Sequence, residues 1–132
     1  MMKQSSENHL HTWWRTLRGK EFLQNAIVHW LIIAIFFLVL VHSAVIVYFL
    51  RPTDSALILH YNVYFGVDLI GAWWHVYALP LGGFLLFLLN TILAYWFFAF
   101  RERIISYILL LAALFVQMSL LVASSTIIFI NY

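Results

Sequence analysis

The chain has 132 residues, of which 65% are hydrophobic, 19% are aromatic and only 9% are charged. Soluble domains average about 25% charged residues, and a fold this small cannot bury so much apolar surface. The composition excludes an ordinary soluble domain, a disordered chain and, because the chain has no cysteine, a disulfide-rich secreted scaffold. A lipid bilayer is the solvent that fits, and a net charge of +2 gives no indication of nucleic-acid binding.

Charged residues are absent from three long runs, Phe22–Leu50, Leu69–Phe100 and Ile104–Tyr132. A membrane-spanning helix needs about 20 apolar residues, so each run is long enough for one crossing. Backbone groups in lipid must bond to one another, and the runs lack the alternation of barrel strands, so helices are expected. We predict an all-α membrane protein with three transmembrane helices. The predicted segments are a cytoplasmic tail (1–25), a first helix (26–50), an external loop (51–76), a second helix (77–100), a cytoplasmic turn (101–104), a third helix (105–130) and an external C-terminus (131–132).

The basic residues predict the orientation of these helices. Six of the seven Lys and Arg residues lie before the first run or between the second and third, and Arg51 is the exception. Because Lys and Arg in short loops favour the cytoplasmic side, we predict a cytoplasmic N-terminus and an external C-terminus. The first run is too long for the apolar region of a cleaved signal peptide, so we expect it to remain as an anchor.

Two segments outside the runs have patterns of their own. His9–Lys20 places Leu and Trp at helical spacing among basic residues, which predicts a short amphipathic helix on the inner leaflet or, alternatively, a helix that docks a partner. Ala56–Phe65 partly alternates and is rich in aromatic and β-branched residues, which predicts a strand or short hairpin across the external ends of the helices. A re-entrant helix is the alternative. As a strand, the segment would turn one set of residues to a common face: Leu57, Leu59, Tyr61, Val63 and Phe65.

The segment Leu59–Trp74, followed by Pro80 and a helix that carries Asn90, resembles a set of short three-span bacterial inner-membrane proteins of unassigned function. The resemblance extends from about Asp54 to the C-terminus. It implies a bacterial inner membrane and a recurring segment on the external face. It implies no activity, substrate or catalytic residue.

The short turn predicts that the second and third helices pack antiparallel, with Pro80 in the first turn of the second helix, which starts near 76–80. Counted from residue 102, Asn90 and Gln117 differ by roughly 4–5 Å in height, so we predict that the two amides form a hydrogen-bonded clasp. Lining a solute path is the alternative for both residues. Four small residues at i, i+4 spacing are predicted to bring the two backbones together nearer the external side: Ala78, Gly82, Ser119 and Ala123. Three hydroxyl residues are expected to bond back to their own helix: Ser124, Ser125 and Thr126.

The chain contains six histidines, a residue type that commonly ligates haem or metal ions. His29 and His42 are 13 residues apart on one helix and therefore face about 140° away from each other. His42 and His75, both on the external side, form the remaining pair, so they are the alternative haem or metal ligands. The simpler expectation is a buried His42 bonded to a neighbouring side chain.

The external side also carries residues capable of acid–base chemistry: Asp54, His60, Asp68 and His75. No motif fixes their geometry, so we predict no catalytic residue and no cofactor. No acidic residue lies within a predicted helix, which argues against a subunit of a proton-coupled pump. We expect a non-catalytic subunit or scaffold of an inner-membrane assembly, with another membrane protein or a second copy as its partner. The alternatives are a solute-, haem- or metal-binding membrane protein that uses the external histidines, and a small oligomeric transporter.

Overall fold

The computed structural model describes residues 20–132, so the predicted amphipathic helix lies outside the described residues except for Lys20. Three long helices follow, with a two-stranded sheet and a short 3₁₀ helix between the first two. Their bounds are α1 (Ala26–Phe49), β1 (Leu57–Asn62), β2 (Gly66–Gly71), the 3₁₀ helix (Trp73–Tyr77), α2 (Ala78–Ala99) and α3 (Arg103–Asn131). The end that carries the sheet is called the hairpin end, and the end between α2 and α3 is called the turn end.

The prediction of three helices long and apolar enough to cross a membrane is confirmed. The spans Ala26–Phe49, Trp73–Ala99 and Arg103–Asn131 contain 24, 27 and 29 residues. In the most apolar window of each span, only 22% of the residues are buried inside the protein. A water-soluble protein rarely exposes so much contiguous apolar surface, so these helices indicate a multi-pass membrane protein.

Local chemistry explains where the helices begin and end. The side-chain Oδ1 of Asn25 accepts a hydrogen bond from the Val28 backbone N–H at 3.1 Å, which caps the start of α1. Leu50 is already extended at the other end of α1, and Pro52 follows two residues later. Between α2 and α3, Arg101 adopts a left-handed backbone with φ of 69°, which reverses the chain tightly.

The buried residues of each helix recur at intervals of three, four or seven, which is the spacing of left-handed helix bundles. On α3 the buried positions are Ser106, Leu110, Ala113, Gln117 and Ser124. On α1 they are Val28, Ile35, Val39, His42 and Ile46, and on α2 they are Pro80, Gly83, Phe87, Ala94 and Phe98. Because α3 packs extensively against both other helices, which contact each other much less, α3 is the central element of the bundle.

The two strands form the antiparallel hairpin that the sequence predicts, and not the re-entrant helix. Asn62 pairs with Gly66 across a three-residue loop, and Gly66 has φ of 78°, as this loop type requires. The side chain of Asn62 accepts a hydrogen bond from the Tyr64 N–H at 2.8 Å, which stabilises the loop.

The predicted common face of this strand is correct only in part. Leu57 is buried and Leu59 packs beside it, against Ile46 and Val76 at the hairpin end of the bundle. Register shifts on both sides of His60 interrupt the alternation of β1. Tyr61 is exposed after these shifts, and Val63 and Phe65 are exposed because the strand ends at Asn62 and both residues lie in the loop.

Candidate functional site

The predicted clasp between Asn90 and Gln117 does not form. Gln117 is buried, and its Nε2 donates to the backbone carbonyl of Gly83 on α2 at 2.6 Å. Asn90 is only half-buried, and its Nδ2 donates to the carbonyl of Leu86 in its own helix at 2.9 Å. Asn90 lies seven residues from Gly83 and therefore on nearly the same side of α2. The clasp fails because the Asn90 amide bonds its own helix, whereas Gln117 bonds the Gly83 carbonyl. The Gly83 carbonyl is accessible to the Gln117 amide because glycine has no side chain.

The predicted small-residue contact is wrong on α2, where Gly83 and not Gly82 packs against α3. Gly83 is buried against α3, and a Cβ on it would lie 2.8 Å from Gln117 Oε1 and 2.9 Å from Leu120 Cδ1. A Cβ on Gly82 would meet no described atom within 4 Å. The other three predicted contact residues are exposed: Ala78, Ser119 and Ala123. The close approach of the two backbones is therefore made by Gly83.

His42 is fully buried and shares a hydrogen bond of 2.6 Å between its Nε2 and the Oγ of Ser124 on α3. A buried His42 bonded to a neighbour was the simpler of the two expectations, and it is confirmed. Ser124 was expected to bond back to its own helix, and that expectation is wrong. Ser125 and Thr126 do bond back, to the carbonyls of Leu121 and Val122.

His42 and His75, the alternative haem or metal pair, have different surroundings. The imidazole of His75 is exposed, stacks on Trp74 at 3.9 Å between ring centroids and lies against the backbone of Gly71. His42 is enclosed between α1 and α3. A paired site would need both imidazoles to face one partner, and the structure does not bring them together. Within residues 20–132 no three His, Asp or Glu side chains converge as metal ligands would.

Of the residues proposed for acid–base chemistry, only His60 and Asp68 meet. His60 Nδ1 donates to Asp68 Oδ1 at 2.6 Å across the hairpin, where both side chains are exposed. Asp54 lies in the exposed connection before the hairpin, and His75 lies beyond it. An exposed pair of this kind contributes little stability.

The helix interior holds three further polar atoms that are buried and lack a hydrogen-bond partner among the described residues. They are His42 Nδ1, Thr91 Oγ1 and Gln117 Oε1. Thr91 and Gln117 lie at successive levels of the bundle and His42 lies nearer the hairpin end, so the three atoms do not line a single chamber.

Sequence reasoning missed the residue that attaches the hairpin to the bundle. The Asn131 side chain at the end of α3 accepts from the Ile58 N–H at 2.8 Å and donates to the Ile58 carbonyl at 2.7 Å. These two bonds imitate a neighbouring strand and cover part of the β1 edge. An amide after an apolar run, facing a predicted strand, is the signal that could have indicated this contact.

At the turn end, another missed contact joins α1 to α3. Asn25 Nδ2 donates to the hydroxyl of Tyr107 at 3.0 Å, and Ser106 Oγ donates to the Ala94 carbonyl at 2.7 Å. Both bonds involve the first turns of α3 and fix its rotation against its neighbours. The hydroxyl of Ser106 falls on the same buried spacing as Gln117 and Ser124, so the spacing could have indicated it.

The loop of the hairpin presents three consecutive apolar or aromatic residues, which we call the hairpin tip: Val63, Tyr64 and Phe65. Their exposed fractions are 85%, 90% and 85%. Turn positions usually carry Gly, Asn, Asp, Pro or Ser, because these residues adopt the backbone angles of turns or bond to the nearby backbone. Large side chains at such positions indicate a surface that another molecule or the bilayer covers.

Comparison with known proteins found no matching family model, no similar curated protein and no similar solved structure. The residues and contacts of the chain itself therefore carry the functional argument.

Proposed function

We propose that the chain is a non-catalytic subunit or scaffold of a membrane assembly, and that the hairpin tip is the element that binds the partner. In this proposal the membrane is a bacterial inner membrane, the N-terminus is cytoplasmic and the hairpin lies on the external face. The distribution of Lys and Arg supports that orientation, since six of seven lie before α1 or in the turn between α2 and α3.

The exposure of the hairpin tip is the observation that carries the proposal. Val63, Tyr64 and Phe65 are held away from the bundle by a hairpin that Asn131 and the buried Leu57 attach to it. A two-stranded hairpin alone is marginally stable, so these attachments give the tip a defined position. Aromatic side chains on a preorganised support are the usual anchors of protein–protein interfaces, because little conformational entropy is lost when they are covered.

The surroundings of the other chemically capable side chains support a role without catalysis. His42 is enclosed and bonded to Ser124, and Gln117 is bonded to the backbone of α2. These groups contribute to the association of helices, which in lipid depends on hydrogen bonds and close packing. A subunit or scaffold needs a stable bundle and an accessible contact surface, and both are present in this arrangement.

Site-specific photocrosslinking in the membranes of the cell that makes the protein tests the proposal. A photoreactive residue at Tyr64 is expected to give a discrete protein adduct, whereas the same residue at Ala56, which is exposed on the connection before the hairpin, is not. Phe65→Asp should abolish the adduct and release the chain from its complex on native gels, while leaving the helices folded.

The mass of the adduct distinguishes the forms of the proposal. An adduct of twice the chain mass supports self-association, and a heavier adduct that is recovered reproducibly supports a separate partner. Adducts with lipid alone, together with an unchanged native complex in Phe65→Asp, would refute a docking role for the hairpin tip.

A further inference from the structure

Beyond the hairpin tip, an apolar cleft of about 300 Å³ lies between the last turns of α1 and α3 at the hairpin end. It is lined by Val45, Phe49, Ser125, Ile128, Phe129 and Tyr132. The cleft opens sideways on the exposed apolar surface of the bundle. If the helices cross a bilayer, lipid chains are the molecules that reach this opening.

A second cleft of about 220 Å³ continues the first beyond the end of α1. The two clefts share Phe49, Ile128 and Tyr132, so they adjoin one another. The second cleft is also lined by Arg51, Thr53 and Ser55, so it has more polar residues than the first. We call this second cleft the polar cup.

Arg51 gives this cup its charge. It is exposed, and it is the only Lys or Arg between residues 21 and 100. The only ion pair in the described part of the chain is the one between His60 and Asp68, so the Arg51 guanidinium has no carboxylate partner, including nearby Asp54. A guanidinium offers paired N–H donors that match the oxygens of a phosphate group.

The hydroxyls of the cup add one further donor. Thr53 Oγ1 and Ser55 Oγ share a hydrogen bond of 2.7 Å, which uses one of their two protons and leaves the other for a ligand. Asp54 beside them disfavours a multiply charged anion. A phosphodiester, which carries a single negative charge, suits one guanidinium next to a carboxylate.

We propose that these joined clefts bind one glycerophospholipid, with an acyl chain in the apolar cleft and the phosphodiester against Arg51. Bulky side chains such as Phe49 and Phe129 line the apolar part, whereas helix–helix interfaces in membranes are enriched in small residues. A flexible acyl chain fills such an irregular cleft. The inference rests on the membrane insertion proposed above and is independent of any partner at the hairpin tip.

Native mass spectrometry of the full chain, released from detergent with a defined glycerophospholipid, tests this site. The wild-type chain is expected to retain one lipid. Arg51→Gln removes a charge-assisted contact, and we expect about tenfold weaker retention. Ser125→Phe fills the apolar cleft and should weaken retention to a similar extent. Diacylglycerol with the same acyl chains, which lacks the phosphate, should not be retained, and inorganic phosphate should not compete.

Two matched controls separate the site from general effects. Ser119→Phe introduces the same side chain at another exposed serine, which also bonds back to its own helix but does not line the cleft. Arg101→Gln removes an exposed cation from the turn end. Both controls should retain lipid as the wild type does.

Three results would overturn the lipid site: equal retention in Arg51→Gln, Ser125→Phe and the wild type, equal losses in the control variants, or retention of diacylglycerol as strong as that of the phospholipid. Extraction of the chain from membranes by carbonate would contradict membrane insertion itself, and with it the proposed function. If the chain resists carbonate extraction but retains phospholipid and diacylglycerol equally, the lipid site is refuted and the proposed function is not affected.

Discussion

Gly82 and Gly83 are adjacent on α2 but differ in what surrounds them, so exchanging each for alanine tests the packing of α2 against α3. A Cβ on Gly83 would lie 2.8 Å from Gln117 Oε1, 2.9 Å from Leu120 Cδ1 and 3.0 Å from Gln117 Nε2. A Cβ on Gly82 would meet no described atom within 4 Å. We expect Gly83→Ala to destabilise the bundle and Gly82→Ala to leave it unchanged or slightly more stable.

The expected size of the effect follows from three contributions. Alanine is favoured over glycine in a helix by roughly 0.5–1 kcal/mol at either position. At Gly83 the added methyl group overpacks the contact, which costs about 1–3 kcal/mol. Displacing the Gln117 amide from the Gly83 carbonyl costs roughly 0.6–2 kcal/mol more. Because the crowded atoms are the ends of side chains and can yield, the net loss for Gly83→Ala should be about 1–2 kcal/mol.

Unfolding in mixed micelles by increasing SDS, followed by circular dichroism, measures the free energy of unfolding of both variants. The two substitutions are identical in chemistry and one residue apart, so detergent effects cancel in the comparison. The packing of Gly83 rather than Gly82 against α3 would be refuted if Gly82→Ala lost as much stability as Gly83→Ala. It would also be refuted if Gly83→Ala left the free energy of unfolding unchanged.

Two further predictions concern hydrogen bonds between distant parts of the chain. Ser124→Ala leaves buried His42 without its Nε2 partner, so the free energy of unfolding should fall by about 1–3 kcal/mol in the same micelle assay. Asn131→Leu removes both bonds to Ile58, so the Ile58 amide should exchange its hydrogen at least about fivefold faster, since each such bond contributes roughly 0.5–1.5 kcal/mol.

Each of these variants has its own control. Ser125 lies next to Ser124 but is exposed and bonds only to its own helix. Ser125→Ala should therefore change the free energy of unfolding by less than about 0.5 kcal/mol. Equal effects at Ser124 and Ser125 would contradict the bond to His42. For Asn131→Leu, the amide of Leu110 in the first third of α3 should keep its exchange rate. An unchanged rate at Ile58 would contradict the attachment of the hairpin.

The positions of the helices could be predicted because a span is a long interval without charge. The hairpin could be predicted only in part: its first strand ends at Asn62, whereas the predicted strand continues to Phe65 through residues that form the loop. α2 begins at Ala78, within the range predicted from Pro80, because proline is tolerated only in the first turn. Such features do not depend on what the element packs against.

The rotation of each helix about its axis could not be predicted in the same way. Asn90 and Gln117 were paired because two amides at similar heights should bond, but Gln117 instead bonds a backbone carbonyl. That carbonyl is accessible only because Gly83 has no side chain, and the preference for Gly83 over Gly82 depends on the tertiary contact. A neighbouring glycine differs by 100° in direction while its sequence properties are the same.

The partners of polar side chains were also beyond single-helix reasoning. A serine in an apolar helix usually bonds back to its own carbonyls, and Ser125 does so. Ser124 bonds His42 because it lies on the buried spacing that also contains Ser106, Leu110 and Gln117. The periodicity of α3 was available in the sequence, and it would have distinguished Ser124 from Ser125.

The central place of α3 has a consequence for how the protein is made. α3 is the last of the three helices to leave the ribosome, yet it supplies the partners of His42 and the Gly83 carbonyl and the side chain that holds Ile58. Until it arrives, α1 and α2 contact each other only sparsely, and His42 and the Gly83 carbonyl lack their partners. The packing of the bundle can therefore be completed only after α3 has been translated.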